Sequence, residues 1–289
     1  MKSPRSSLPG GPTIQGTTLR AGTFVLLCVV GLLVIPPAFY PVGGLVAASA
    51  LGTFAVAALV TPLCTRLFEG RPWTSIGLAW NRASFQNLLA GMLGGMGAAG
   101  LVVGAALIAG AARWRPDPTQ QASFIGGLLL TIILAFGAAG EEMLFRGYAF
   151  QILVLRLGPF ATILPASLIF GLSHTANYGL TTLGLVNTVG WGILLSLAVL
   201  RSGDLWLATG LHFGWNWTLC ALGANLSGFE IRLAGHAVEW RVGELWSGGP
   251  YGPEAGLGTS VALALLGWYL VRAPVWGQRA TLIHTQRGR

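Results

Sequence analysis

The chain of 289 residues is 53% hydrophobic and only 9% charged, against about 25% charge in a soluble domain. That composition excludes an ordinary soluble fold and points to an integral membrane protein, multi-pass and set in a lipid bilayer. The net charge of +8 is scattered between apolar runs. A nucleic-acid partner would need it gathered on one face, so none is expected.

Residues 1–20 read as a flexible, basic N-terminal tail, beginning Met1-Lys2-Ser3-Pro4-Arg5. No small-residue cleavage site follows, so the first apolar run is expected to be a retained anchor. Spans are then predicted near 21–40, 43–65, 84–112, 122–140, 159–176, 183–200, 204–222 and 256–273, each close to the ~20 residues a bilayer requires. The fold class is all-α: a polytopic transmembrane helical bundle of about eight spans over 21–273, with a core near 122–222. A basic C-terminal tail, 274–289, follows. Between the second and third spans, the stretch Arg71–Trp80 is too short and mixed to cross. Its two tryptophans suit a headgroup-level segment. Residues 223–255 form one long polar loop holding Glu230, Glu239, Glu244 and Glu254.

An even number of spans puts both ends on one side. The basic residues divide thirteen to four, the minority being Arg113, Arg115, Arg232 and Arg241. Positive charge collects on the cytoplasmic side, so both termini are expected there, in a cell membrane (a bacterial inner membrane). In the third span, Gly91/Gly95 and Gly100/Gly104 have the small-xxx-small spacing of closely packed helices. Cys28, Cys64 and Cys220 lie in apolar segments without paired spacing, and read as small buried hydrophobes.

The chemistry concentrates at Glu141-Glu142-Met143-Leu144-Phe145-Arg146, which closes an apolar run. Ions at membrane depth are costly and mark function. Only four histidines exist. His236 falls in the polar loop and His284 in the tail. His174 ends Phe170-Gly171-Leu172-Ser173-His174, and His212 opens His212-Phe213-Gly214-Trp215-Asn216. One histidine in a span is commonly a packing residue. Two of them, with a Glu-Glu pair and an asparagine in one set of spans, are not.

Gly158-Pro159 is predicted to break the helix. Glu141 lies 17 residues before Gly158 and His174 lies 16 after it. At 1.5 Å per residue both sit about 25 Å from the turn, level with each other. A hairpin that long is expected to bend at Gly137-Ala138-Ala139-Gly140 and to project into the cytoplasm. Glu142 and Arg146 are spaced for an intrahelical ion pair. Glu141, about 100° around the helix, is left to face His174. A buried carboxylate beside a histidine can deprotonate water. His212 and Asn216, sharing a helix face, can donate to an oxyanion. That set suits hydrolysis of an acyl bond, most naturally a peptide. No serine or cysteine is placed as a nucleophile, since the Ser173 side chain is expected to point elsewhere.

Glu141-Glu142-x-x-x-Arg146, Phe170-x-x-x-His174 and His212-x-x-x-Asn216 resemble, in order and spacing, the three motifs of the CPBP family. That family holds CAAX prenyl endopeptidases and bacteriocin-processing or immunity proteins, also called abortive-infection proteins. The likeness covers about 122–222, and Ser75-Ile76-Gly77-Leu78 is similar to bacterial members. It implies an eight-helix intramembrane endopeptidase acting on a peptide or membrane-protein substrate. In it Glu141 and His174 activate water and His212 and Asn216 bind the oxyanion, with Glu142, Arg146 and Phe170 in support. The Gly-, Ala- and Arg-rich composition suggests a GC-rich bacterial genome, where CAAX prenylation would not supply the substrate.

Two other functions compete: a non-catalytic scaffold or bacteriocin-immunity protein using the same cavity, and a proton-coupled transporter. The transporter is disfavoured because no internal repeat is visible. No cofactor is favoured. Zinc is the alternative, held by Glu141, His174 and His212 as a two-His, one-carboxylate set. In that arrangement only Glu142 would remain as general base, and Asn216 would lose its clearest role.

Overall fold

The computed structural model describes residues 14–117 and 123–285. The expected tail up to residue 13, the first residue of the expected fourth span, and 286–289 lie outside them. The chain folds into an all-helical polytopic bundle. The principal helices are α1 (Ile14–Val34), α2 (Tyr40–Glu69), α3 (Arg82–Ile108), α4 (Phe124–Arg146), α5 (Tyr148–Leu157), α6 (Pro159–Leu172), α7 (Thr182–Ser202) and α8 (Trp206–Leu222). A short α9 (Glu244–Ser247), then α10 (Leu257–Arg272) and α11 (Leu282–Thr285), complete the order. Five helical stretches are long and apolar enough to cross a membrane: 14–34, 36–69, 82–108, 124–157 and 182–202. The helices 159–172 and 257–272 are shorter and apolar.

Local sequence explains where helices start and stop. Asn81 and Ser84 form a reciprocal capping box before α3, and the side chains of Ser123 and Thr181 cap α4 and α7. Each supplies an acceptor to amides that otherwise lack one. Helix α1 begins at Ile14, so residues 14–20, expected as tail, are helical. The bend expected at Gly137–Gly140 is absent, because α4 stays helical through both glycines. They instead seat α4 against α2: a Cβ on Gly140 would lie 2.6 Å from the Phe54 backbone, and one on Gly137 would lie 2.9 Å from Ala50. The break comes at Gly147, where a Cβ would meet the Met143 carbonyl oxygen at 2.1 Å. A second break falls at Gly158, as expected, with φ +86°.

The tightest packing in the bundle joins α3 to α8. A Cβ on Gly91 would lie 2.3 Å from the Leu207 oxygen, and one on Gly95 would lie 2.2 Å from the Leu211 oxygen. From the other side, Gly210 and Gly214 meet the backbones of Leu88 and Met92. This is small-residue packing of the kind that joins helices in lipid, where no hydrophobic force pulls them together. The expected second pair, Gly100/Gly104, faces open space instead. The contact fixes α8, and with it His212 and Asn216, against the scaffold.

At one end of the bundle, the buried Asp204 carboxylate accepts from Asn87 Nδ2 (2.8 Å) and from the amides of Trp206 and Leu207. Gln278 also donates to it. Residues expected as a C-terminal tail are therefore tied in: the Gln278 amide donates to Ser202, and the Leu282 amide to the Gln151 side chain. At the other end, β1 (Ala112–Pro116) and β2 (His236–Trp240) form an antiparallel ribbon where the connection after the third span and the long polar loop were expected. Arg113 reaches Glu239 at 2.7 Å and holds its exposed carboxyl below the usual range. The three cysteines are buried and unpaired.

The glycine contacts predict a matched difference. Gly95→Val forces α3 and α8 apart and should abolish the yield of monodisperse protein in detergent. Gly97→Ala and Gly100→Ala, which meet open space, should hold or raise the melting temperature, since alanine favours a helix by up to about 1 kcal/mol.

Candidate active site

One cavity of about 260 Å³ collects the candidates: Glu141, Phe170, His174, His212 and Asn216 all line it. Helices α4, α6 and α8 and the turn after α6 supply them, and α1, α2, α7 and the segment after α8 complete the walls.

The two glutamates differ in surroundings. Glu142 and Arg146 are 0% and 1% exposed and pair at 3.1 Å within one turn of α4. Arg146 also donates to the Gly192 carbonyl at 3.2 Å, and its guanidinium stacks over the Phe170 ring at 4.4 Å. A buried ion pair is tolerable only when its remaining polar atoms are also satisfied, and Gly192 and Phe170 do this for the arginine. Phe170 is the hub of the site. Its ring meets Phe145, His174 and His212 edge-on, at centroid distances of 5.1, 4.8 and 6.4 Å.

The structure adds a contact that helix geometry had not foreseen. His212 Nδ1 lies 2.9 Å from Glu142 Oε1, so Glu142 bridges Arg146 and His212. With Nδ1 donating to that carboxylate, Nε2 points to the other glutamate, 3.8 Å from Glu141 Oε2. Glu141 is the accessible member, its side chain 27% exposed. Its Oε2 and that of Glu142 are buried without a hydrogen-bond partner among the described residues. Glu141 and His174 share the cavity but no hydrogen bond joins them.

His174 follows the last turn of α6, and its Nδ1 lies 2.8 Å from the Phe170 carbonyl oxygen. A carbonyl can only accept, so Nδ1 carries the proton and Nε2 is left as an acceptor. The Ser173 side chain does not point away as expected. It lines the cavity, donates to Phe170 O at 2.7 Å and lies 3.2 Å from His174 Nδ1. Its hydroxyl thus helps fix the ring.

No three His, Cys, Asp or Glu side chains among the described residues lie close enough together to hold a metal ion. Glu141, His174 and His212, the alternative zinc set, do not form such a group.

The sequence reading missed two groups. Trp215 packs on Trp191 at 4.9 Å and buries α8 beside the cavity. Glu254, placed by the sequence in the long polar loop, is buried and lines the cavity with the others. Its position, two residues before the last apolar run, was the available signal.

Residues 121–218 match the family described as type II CAAX prenyl endopeptidase Rce1-like. That match, over about a third of the chain, agrees with the resemblance to the CPBP family of CAAX-type membrane proteases. The matched segment is thus protease-like and contains the residues of all three motifs, from Glu141 to Asn216. Comparison with curated proteins gives no match.

The Glu142 bridge predicts its own failure. Glu142→Gln leaves the Arg146 cation buried without its counter-ion, which costs about 3–5 kcal/mol. The purified variant should melt far below wild type, whereas Glu141→Gln, at the half-open position, should melt within a few degrees of it.

Proposed function

We propose that the chain is an intramembrane endopeptidase that hydrolyses a peptide bond with water activated by Glu141 and His174. The observation that carries this reading is the convergence of Glu141, His174, His212 and Asn216 on one cavity within an apolar bundle. Glu141 Oε2 accepts no hydrogen bond among the described residues, and a water can donate one to it. His174 presents Nε2 as a second acceptor, fixed by the Phe170 carbonyl. A water held by both loses a proton as its oxygen attacks the scissile carbonyl.

The tetrahedral oxyanion then needs donors. The Asn216 amide is one. His212 is the other when its ring is doubly protonated, with Nδ1–H on Glu142 and Nε2–H on the oxyanion. Two carboxylates and one guanidinium leave the buried set one negative charge in excess, and an imidazolium at His212 brings Glu141, Glu142, Arg146 and His212 to neutrality. Donors fixed in advance, in a site of low dielectric, stabilise developing charge strongly. Collapse of the intermediate expels the amine, which takes the proton from Glu141 or His174. The natural substrate is a peptide or membrane protein, and the chain is a multi-pass protein of a cell membrane with both termini cytoplasmic.

Two outcomes test this reading. Purified Glu141→Gln should lose at least ~10³-fold in peptide cleavage while remaining folded, as loss of a positioned base and its share of transition-state stabilisation requires. Near-normal turnover would remove Glu141 from its role. Reporter fusions at the C-terminus and within 223–255 should fall on opposite sides of the membrane, and a shared side would contradict the eight-span arrangement.

A further inference from the structure

A second cavity lies behind the catalytic one. Its volume is about 670 Å³, within the ~300–1,000 Å³ that ligand pockets span. Helices α2, α3, α4 and α8 and the segment before α3 wall it, and every lining side chain except Thr209 is apolar or aromatic. The Thr209 hydroxyl is already spent on the Leu205 carbonyl. Helix α2 packs on α4 and α3 packs on α8, whereas α2 and α3 scarcely meet. Phe136 and Trp73, both in the wall, are 40% and 50% exposed. The cavity is therefore a groove open to the outside of the bundle between helices long and apolar enough to span a membrane.

Its ends differ. On α2 the lining residues Phe54, Ala58 and Pro62 fall at every fourth position, one stripe of the helix, and the next member of that stripe is Arg66. The apolar part of the stripe rises about 12 Å, close to the ~15 Å depth of hydrocarbon in one leaflet. At the Arg66 end, Trp73 and Trp206 line the mouth, and Trp206 meets Trp80 edge-on at 4.7 Å. Tryptophans gather at the level of lipid headgroups. Arg66 lies one turn beyond Pro62 and Arg71 two residues before Trp73, and neither has an ion pair among the described residues. Glu69, the acid closest in sequence, is held by Arg20 at 3.0 Å and by the Tyr148 hydroxyl at 2.9 Å.

The groove is no part of the path to the catalytic carboxylate. Ala139 and Met143 in its wall lie two residues either side of Glu141, each about 200° around α4 from it. It still borders the frame of the site, because Met143 follows Glu142 and Phe213 follows His212. An occupant braces α4 against α8 from behind the Glu142–His212 contact.

We propose that this groove binds one anionic phospholipid, an acyl chain lying between α2 and α3 and the phosphate held by Arg66 and Arg71. The chain matches a wall that offers no free polar side chain, and the headgroup matches two cations without counter-ions. An extended peptide would instead bury amides and carbonyls that the groove cannot pair. The site stands apart from the reaction proposed above, since bound lipid is counted without turnover.

The test uses the full chain in detergent, stripped of lipid and titrated with phosphatidylglycerol, phosphatidylcholine or glycerol phosphate. Bound lipid is counted by native mass spectrometry, and the melting temperature is read alongside. Phosphatidylglycerol should bind roughly tenfold more tightly than phosphatidylcholine, as attraction to two arginines requires. It should also raise the melting temperature, as any ligand of the folded state does. Glycerol phosphate, which has the charge but no chain, should do neither. Arg66→Gln with Arg71→Gln should bring the two phospholipids within about twofold of each other. Ala58→Phe with Ala139→Phe, which fills the groove, should abolish retention of both, whereas Leu63→Phe, at an exposed position of α2 outside the groove, should not. Should the filled variant fail to fold, phosphatidylglycerol with a photoreactive chain end decides on wild type. Adducts concentrated on 54–62 and 135–143 support the proposal, and adducts spread over all exposed helices overturn it. Equal binding of the two phospholipids to wild type, or undiminished retention by the filled variant, would also overturn it. So would a native dimer that the filled variant loses, which would give the groove to a second copy of the chain.

Discussion

The bridge that Glu142 makes between Arg146 and His212 is the interaction on which the site depends. It places a carboxylate with no measurable exposure between a guanidinium and an imidazole, in a bundle whose other walls are apolar. Removing any one member leaves an uncompensated charge or an orphaned acceptor, which is why such sets are costly to build and brittle once built. The bridge also divides labour between adjacent glutamates. Glu142 is spent on holding α4 to α8, and Glu141, one residue earlier and about 100° around the helix, turns its carboxylate to the cavity. Phe170 binds the third helix to the same centre through the face of its ring, so α4, α6 and α8 are registered by one cluster.

That registration needs α8 to be placed by something else, and the α3–α8 contact does it. Glycines on both helices let the backbones touch, leaving no side chain to slide or repack between them. The Asp204 network and the returning C-terminal segment fix the near end of α8, while Glu254 and Trp215 fix the far side. His212 and Asn216 are thereby held on a rigid rod, as their proposed role of donors to a transient anion requires.

Much of this was legible in the chain. The apolar runs gave the helices, Gly158-Pro159 gave the turn, and the i,i+4 spacing of Glu142 and Arg146 gave their pair. The scarcity of acids and histidines picked out the cavity residues. What spacing could not give was the pairing across helices. Whether His212 would meet Glu141 or Glu142 depends on the rotation of α8, which Gly91 and Gly95 set through contacts with backbone that no one-dimensional pattern encodes. The bend was misplaced for a similar reason: glycines at 137 and 140 serve close approach to α2, and the same residue type serves the true break at Gly147. Glu254 was placed in the polar loop because a position beside an apolar run does not by itself show that the segment folds back inward.

The central claim, that this buried set exists to cut peptides with Glu141 as base, is tested most directly in cells. Membrane peptides would be compared quantitatively between cells carrying wild type and cells carrying Glu141→Gln at equal protein level. The account predicts that a discrete group of cleavage products disappears in the variant while their uncut precursors accumulate. Identical peptide profiles, with both proteins folded and membrane-inserted, would contradict it.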